Sequence, residues 1–124
     1  MLDSAKLTGF VPTTDYDKAR TFYVGKLGFE FISLDQFALV VSVGGHKIRI
    51  TKIPNLTPQQ GTILGWEVDD IEAVVVWLRG QGVLVEKYPF AQDQELGIWT
   101  APGGARVAWF KDPDANILGI SQQT

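Results

Sequence analysis

The feature that most constrains this chain is an internal repeat at an offset of 55 residues. Thr8 precedes Asp15 by seven positions, and Ile63 precedes Asp70 by the same seven. Around each pair the hydrophobic pattern changes in the same order. In the first copy Leu7, Gly9 and Val11 alternate with Thr8 and Phe10. That is the period of a half-buried strand over 6–12, which Pro12 closes. Thr14 or Asp15 can cap the helix that follows, and Asp17 stands in its first turn, where the helix dipole favours an anion. Ala19, Phe22 and Tyr23 recur at helical spacing, with Tyr16 at the edge of that stripe, and Gly25 and Gly28 end the helix. Strands near 29–34, 37–43 and 46–52 complete the unit. Gly44-Gly45 is a two-residue hairpin signal, because both central residues of the favoured turn need positive φ.

After a Pro/Gly-bearing linker at 53–61 the order returns. Leu64, Trp66 and Val68 alternate with Ile63, Gly65 and Glu67. Asp69 with Glu72 three residues later reads as a capping box. Ile71, Val74, Val75 and Leu78 form the stripe of a second helix, which Gly80 and Gly82 stop. Val83 and Val85 open a strand. Ala105 to Ile120 then reads as a closing hairpin around Asp112-Pro113-Asp114-Ala115-Asn116, where Pro presets φ and Asp and Asn tolerate left-handed backbone. Two βαβββ units are therefore predicted, an α+β fold in one domain of two modules, about 6–52 and about 62–122. The copies differ in one place. Pro89 to Gly104 stands where the first copy has only Leu34-Asp35-Gln36. A loop of that length is either a lid over a pocket or a segment packed on a sheet edge or dimer contact through Ile98 and Trp99.

Charge and composition exclude several partners. The net charge is −3 and the basic residues are scattered, so no nucleic-acid or anionic-membrane footprint is present. There is no cysteine, hence no disulfide, thiol nucleophile or thiolate metal site. No apolar run approaches the ~20 residues that span a bilayer. Met1-Leu-Asp-Ser begins without the basic and apolar regions of a signal peptide, so a cytoplasmic protein is expected.

Val11 to Gly28, with Asp15, Tyr16, Ala19, Phe22 and Tyr23, resembles the first strand, helix and turn of the vicinal oxygen chelate superfamily. Asp112 to Asn116 resembles its last hairpin turn, where a glycine usually stands at position 115. The superfamily holds glyoxalase I, extradiol dioxygenases, fosfomycin-modifying enzymes and bleomycin-resistance proteins. The resemblance covers residues 6–122. It implies two modules whose curved mixed sheets form a cup, often completed by a homodimer.

In metal-dependent members, ligands come from the first and last strand of each module. Those places fall on Thr8, Arg49, Ile63 and Gly119. A divalent cation there wants imidazoles and carboxylates. Thr8 is a weak neutral donor, Arg49 brings a positive charge, and Ile63 and Gly119 have no ligand atom. The only histidine, His46, adjoins the Gly44-Gly45 turn and reads as an exposed loop residue. No metal and no cofactor are expected.

Strand parity assigns Thr8, Phe10, Arg49, Thr51, Ile63, Gly65, Glu67, Val107, Trp109 and Ser121 to the cup, with Trp109 opposite Gly119 and Val107 opposite Ser121. Trp99 in the long loop is the other indole near a ligand. Trp66 is assigned to the core, and Trp77 to helix packing or a dimer surface. A guanidinium among apolar groups needs a counter-charge, so Arg49 meets an anionic ligand or pairs with Glu67. Three functions remain open. The first is a metal-free small-molecule-binding protein. The second is a metal-independent enzyme with Arg49 as anion clamp and Glu67 as base. The third is a structural or regulatory dimer without a ligand.

Overall fold

The computed structural model describes residues 1–124. The chain divides into two compact units, Met1–Thr57 and Pro58–Thr124. Each holds one four-stranded mixed sheet and one helix that follows the first strand. No helix is long and apolar enough to cross a membrane.

In the first unit, β1 (Thr8–Thr13) leads through α1 (Tyr16–Arg20) and one further helical turn of π type (Thr21–Lys26) to β2 (Glu30–Leu34), β3 (Leu39–Val43) and β4 (His46–Lys52). The sheet order is β1-β4-β3-β2, with β1 parallel to β4 and the other pairs antiparallel. Asp15 is the cap: its side chain accepts from the N–H groups of Asp17 and Lys18. Thr14 does not serve in that role. Ala19, Phe22 and Tyr23 are buried as their spacing predicts. They lie over Val11, Ile48 and Ile50 on the inner face. Gly44 and Gly45 both take positive φ, 56° and 80°, so the hairpin signal is obeyed. Pro12 does not end its strand. β1 runs on to Thr13, with Pro12 opposite Thr51. An edge strand tolerates the missing donor because one side of its backbone faces away from the sheet.

In the second unit, β5 (Thr62–Glu67) leads through α2 (Ile71–Gly80) to a long irregular segment, then β6 (Trp99–Thr100), β7 (Arg106–Lys111) and β8 (Ile117–Gln122). The order β5-β8-β7-β6 repeats that of the first sheet. The cap of α2 is Asp70, whose carboxylate accepts from the Ala73 N–H, and not Asp69. The expected box does not close. With Asp70 as cap, Glu72 falls one place short of N3, and its carboxylate instead pairs with Arg106 at 2.6 Å. The two true caps, Asp15 and Asp70, are themselves one repeat apart.

The strand expected at Val83 and Val85 shrinks to one bridge, Val85 to Phe110, extended by the Glu86 N–H donating to the Trp109 carbonyl. The chain then leaves the sheet edge and returns as β6, with Trp99 opposite Val107 and Thr100 opposite Arg106. The inserted segment thus packs on the edge of β7. Ile98 and Ala91 are buried within it, and Arg79 holds it through the Glu95 carbonyl. Phe110, Leu118 and Ile120 face α2 and bury fully against Ile71, Val75 and Leu78. Each such side chain contributes ~1.5–3 kcal/mol by leaving water. Phe110→Ala would remove the largest of them and cost ~3–5 kcal/mol.

Candidate functional site

On the outer face of the second sheet, the closing hairpin keeps its register without a shift. Trp109 therefore lies opposite Gly119, and Val107 opposite Ser121. Parallel pairing places Gly65 beside Gly119 and Glu67 beside Ser121. Gly65 has a steric reason: a Cβ there would stand 3.1 Å from the Gly119 carbonyl oxygen.

The position expected of Ile63 is filled by its neighbour. A bulge between Thr62 and Leu64 leaves Ile63 as the extra residue, with Thr62 opposite Ile117 and Leu64 opposite Leu118. Because side chains alternate, the one-residue slip turns Thr62 onto the face that Ile63 would have held. There its hydroxyl accepts a hydrogen bond from the Trp109 indole N–H at 3.0 Å. A Cβ at Gly119 would stand 3.2 Å from the Thr62 methyl and 3.6 Å from Trp109 Cδ1. The space that a side-chain ligand would use at 119 is taken by an indole and a threonine.

Around Trp109 stand three more rings. Tyr88 and Phe90 stack nearly parallel at 5.3 Å, both meet Trp109 edge-on at 5.6 and 5.8 Å, and Trp99 closes the group 6.1 Å from Trp109 and from Phe90. Phe90 is 57% exposed. Sequence reasoning selected Trp99 and Trp109 but missed Tyr88 and Phe90. The signal was Tyr88-Pro89-Phe90, two aromatics at the start of a long insertion. Beside this cluster is an open depression of about 260 Å³, lined by Thr62, Glu67, Val107, Trp109 and Ser121.

On the outer face of the first sheet, Arg49 stands in the interior strand β4, opposite Phe10 on β1 and Val40 on β3. Thr8 neighbours Lys47, and Thr51 neighbours Pro12. Thr8, Phe10, Arg49 and Thr51 thus share one face, as parity predicts. Phe10 is 65% exposed and Arg49 half-buried. The Phe37 and Ala38 N–H groups donate to the Asp35 carboxylate and hold it below the usual carboxylate range, and the Arg49 charge lowers it further. Glu67, by contrast, is exposed on the second unit.

The donor set does not fit a divalent cation. Thr8 and Arg49 sit beside Lys47 with no imidazole or carboxylate among their register partners on β4 and β1. Gly119 and Thr62 offer at most one alcohol, already bonded to Trp109. No group of three or more His, Cys, Asp or Glu side chains is placed to hold a metal ion. His46 is exposed beside its turn.

A family model described as Glyoxalase/Bleomycin resistance protein/Dioxygenase superfamily matches residues 6–120. No curated protein matches the sequence. Among solved structures, the chain resembles a member of that superfamily from Sphaerobacter thermophilus DSM 20745, with TM-score 0.77, 22% identity, and 99% and 100% of the two chains covered. It also resembles the antibiotic binding protein TnmS3 from Streptomyces sp. CB03234, with TM-score 0.72, 26% identity, and 100% and 99% covered. Lactoylglutathione lyase from Agrobacterium tumefaciens matches with TM-score 0.72 at 17% identity over 96% and 93% of the chains.

Proposed function

The chain belongs to the Glyoxalase/Bleomycin resistance protein/Dioxygenase superfamily, and from that premise we propose that it binds a small molecule without a metal ion. The ligand class is a planar, largely apolar compound. The observation that carries this reading is the four-ring cluster of Tyr88, Phe90, Trp99 and Trp109 beside an open depression. Rings present flat polarisable faces at little cost in side-chain entropy, and Phe90 leaves much of its face to solvent. The antibiotic-binding protein among the structural relatives supports a binding role over a catalytic one.

The test is a titration of the protein with 2-naphthoate, read by tryptophan fluorescence and by thermal shift, with and without chelator and with added nickel or zinc. Saturable quenching, a raised Tm and indifference to chelator are expected, since a ligand that binds only the folded state stabilises it by mass action. A metal-dependent response that chelator abolishes would contradict the metal-free reading. No response to this or related planar acids would remove the binding reading itself.

A further inference from the structure

We propose that the second unit carries a separate site for a medium-chain carboxylate, on the helix side of its sheet. Between the C-terminal half of α2 and the segment 83–96 lies a cavity of about 230 Å³. It is distinct from the depression beside Trp109, which opens on the other face of the same sheet. It is open on one side and has room for a short aliphatic chain such as that of octanoate.

The lining is divided in the way an amphipathic acid requires. Val75, Val83 and Leu96 give an aliphatic wall, and Val75 and Val83 are buried in it. Leu84 forms a lip and is 79% exposed, an apolar side chain with nothing of this chain to cover it. Arg79 and Lys87 bring two cations, and Glu95 one carboxylate, so the lining has an excess of one positive charge. Neither cation takes part in an ion pair. Arg79 spends one N–H on the Glu95 carbonyl at 3.1 Å, which ties the segment to the helix and leaves the rest of the guanidinium fork for a ligand. Arg79 stands in the last turn of α2. There it also offsets the negative end of the helix dipole, so a bound carboxylate needs Lys87 as well. A small site with an apolar wall and a few converging charges selects for both a tail and a head group.

The experiment is a titration of the full-length protein with octanoate, 1-octanol and octylamine, followed by NMR shifts of the Val75, Val83 and Leu96 methyl groups. Octanoate is expected to give saturable shifts there, octanol weaker ones, and octylamine none. Arg79→Gln and Lys87→Gln are exposed changes, and each is expected to weaken octanoate roughly two- to five-fold. Glu95→Gln removes the opposing charge and is expected to tighten it. Leu96→Trp fills the cavity and should abolish the shifts at Val75 and Val83. Equal binding of octanol and octanoate, binding that ignores all three charge variants, or saturation with no change at these methyl groups would each overturn the proposal. The result is independent of 2-naphthoate, whose site is read at Trp99 and Trp109.

Discussion

The indole N–H of Trp109 donates to the Thr62 hydroxyl at 3.0 Å, and the two side chains meet over Gly119. This bond explains why position 119 carries no side chain. A β-carbon would press on the Thr62 methyl at 3.2 Å and come into ordinary contact with the indole at 3.6 Å. Gly119→Ala should therefore destabilise the protein by ~1–2 kcal/mol, the usual range for overpacking a fitted site. Urea denaturation of the variant measures it. Thr62→Ala in the same chain should recover part of the loss, because it removes the methyl and leaves room for the indole to move. A neutral Gly119→Ala would mean that the strand shifts freely and that the site is not rigidly packed.

Phe90 separates binding from stability. It is 57% exposed, so its truncation opens no sealed cavity. Its ring nevertheless touches Tyr88, Trp99 and Trp109. Phe90→Ala is expected to weaken 2-naphthoate roughly two- to ten-fold, the worth of one aromatic contact. Its unfolding free energy should fall by under about 1.5 kcal/mol. Fluorescence titration and chemical denaturation of the same preparation read the two effects apart. A large loss of stability with unchanged affinity would assign the ring to packing alone.

The repeat was legible because both copies obey one rule of burial. Val11, Ile48 and Ile50 in one unit, and Phe110, Leu118 and Ile120 in the other, alternate with outward residues at period two. The parity that placed Phe10 and Arg49 on one face and Trp109 opposite Gly119 needs nothing more than that alternation. Ile63 was misplaced because a bulge inserts one residue, and no local pattern in Thr62-Ile63-Leu64 announces it. The second-copy strand at Val83 and Val85 failed for a related reason. Its sequence favours a strand, but the chain is drawn off the edge after one bridge, and Trp99–Thr100 takes up the edge of β7. Tyr88 and Phe90 joined the site through that excursion, a tertiary event. The capping error at Asp69 is a choice between adjacent carboxylates, which side-chain type alone does not decide.

The turn between β7 and β8 carries a correctable strain. Ala115 has φ 66°, the left-handed region. An L-residue with a β-carbon pays ~1–2 kcal/mol there, while glycine pays none of it but loses more backbone entropy on folding. Ala115→Gly should therefore raise stability by a net ~0.5–1 kcal/mol. The turn persists with alanine because its surroundings over-determine it. Asp112 accepts from the N–H groups of Asp114 and Asn116 and from the Asn116 side-chain amide, and Asn116 is buried. Asn116→Ala removes the amide donor from that buried carboxylate and should cost ~2–4 kcal/mol. Thermal unfolding of the two variants beside the parent checks both signs, and a stabilising Asn116→Ala would refute the account of the turn.

The Asp35 turn sets part of the acid limit of the first unit. Its carboxylate accepts from the Phe37 and Ala38 N–H groups at 2.8 and 3.0 Å, and these bonds hold its pKa below the ordinary 3.8, with Arg49 adding in the same direction. A folded-state pKa below the unfolded one means that the folded protein releases this proton more readily. The stabilisation is therefore complete above the unfolded value, and it is lost as pH falls below 3.8 through the depressed folded value. Asp35→Asn keeps an oxygen that can accept from both N–H groups but has no proton to gain. The parent should be more stable than the variant at neutral pH, and the gap should close below pH 3.8. The effect is small because the group is exposed, so it is read as the difference of two Tm curves across pH. Arg49→Gln should narrow the same gap, since the guanidinium favours the ionised carboxylate. A gap between parent and Asp35→Asn that stays constant down to the acid transition would show that the carboxylate charge plays no part in holding the turn.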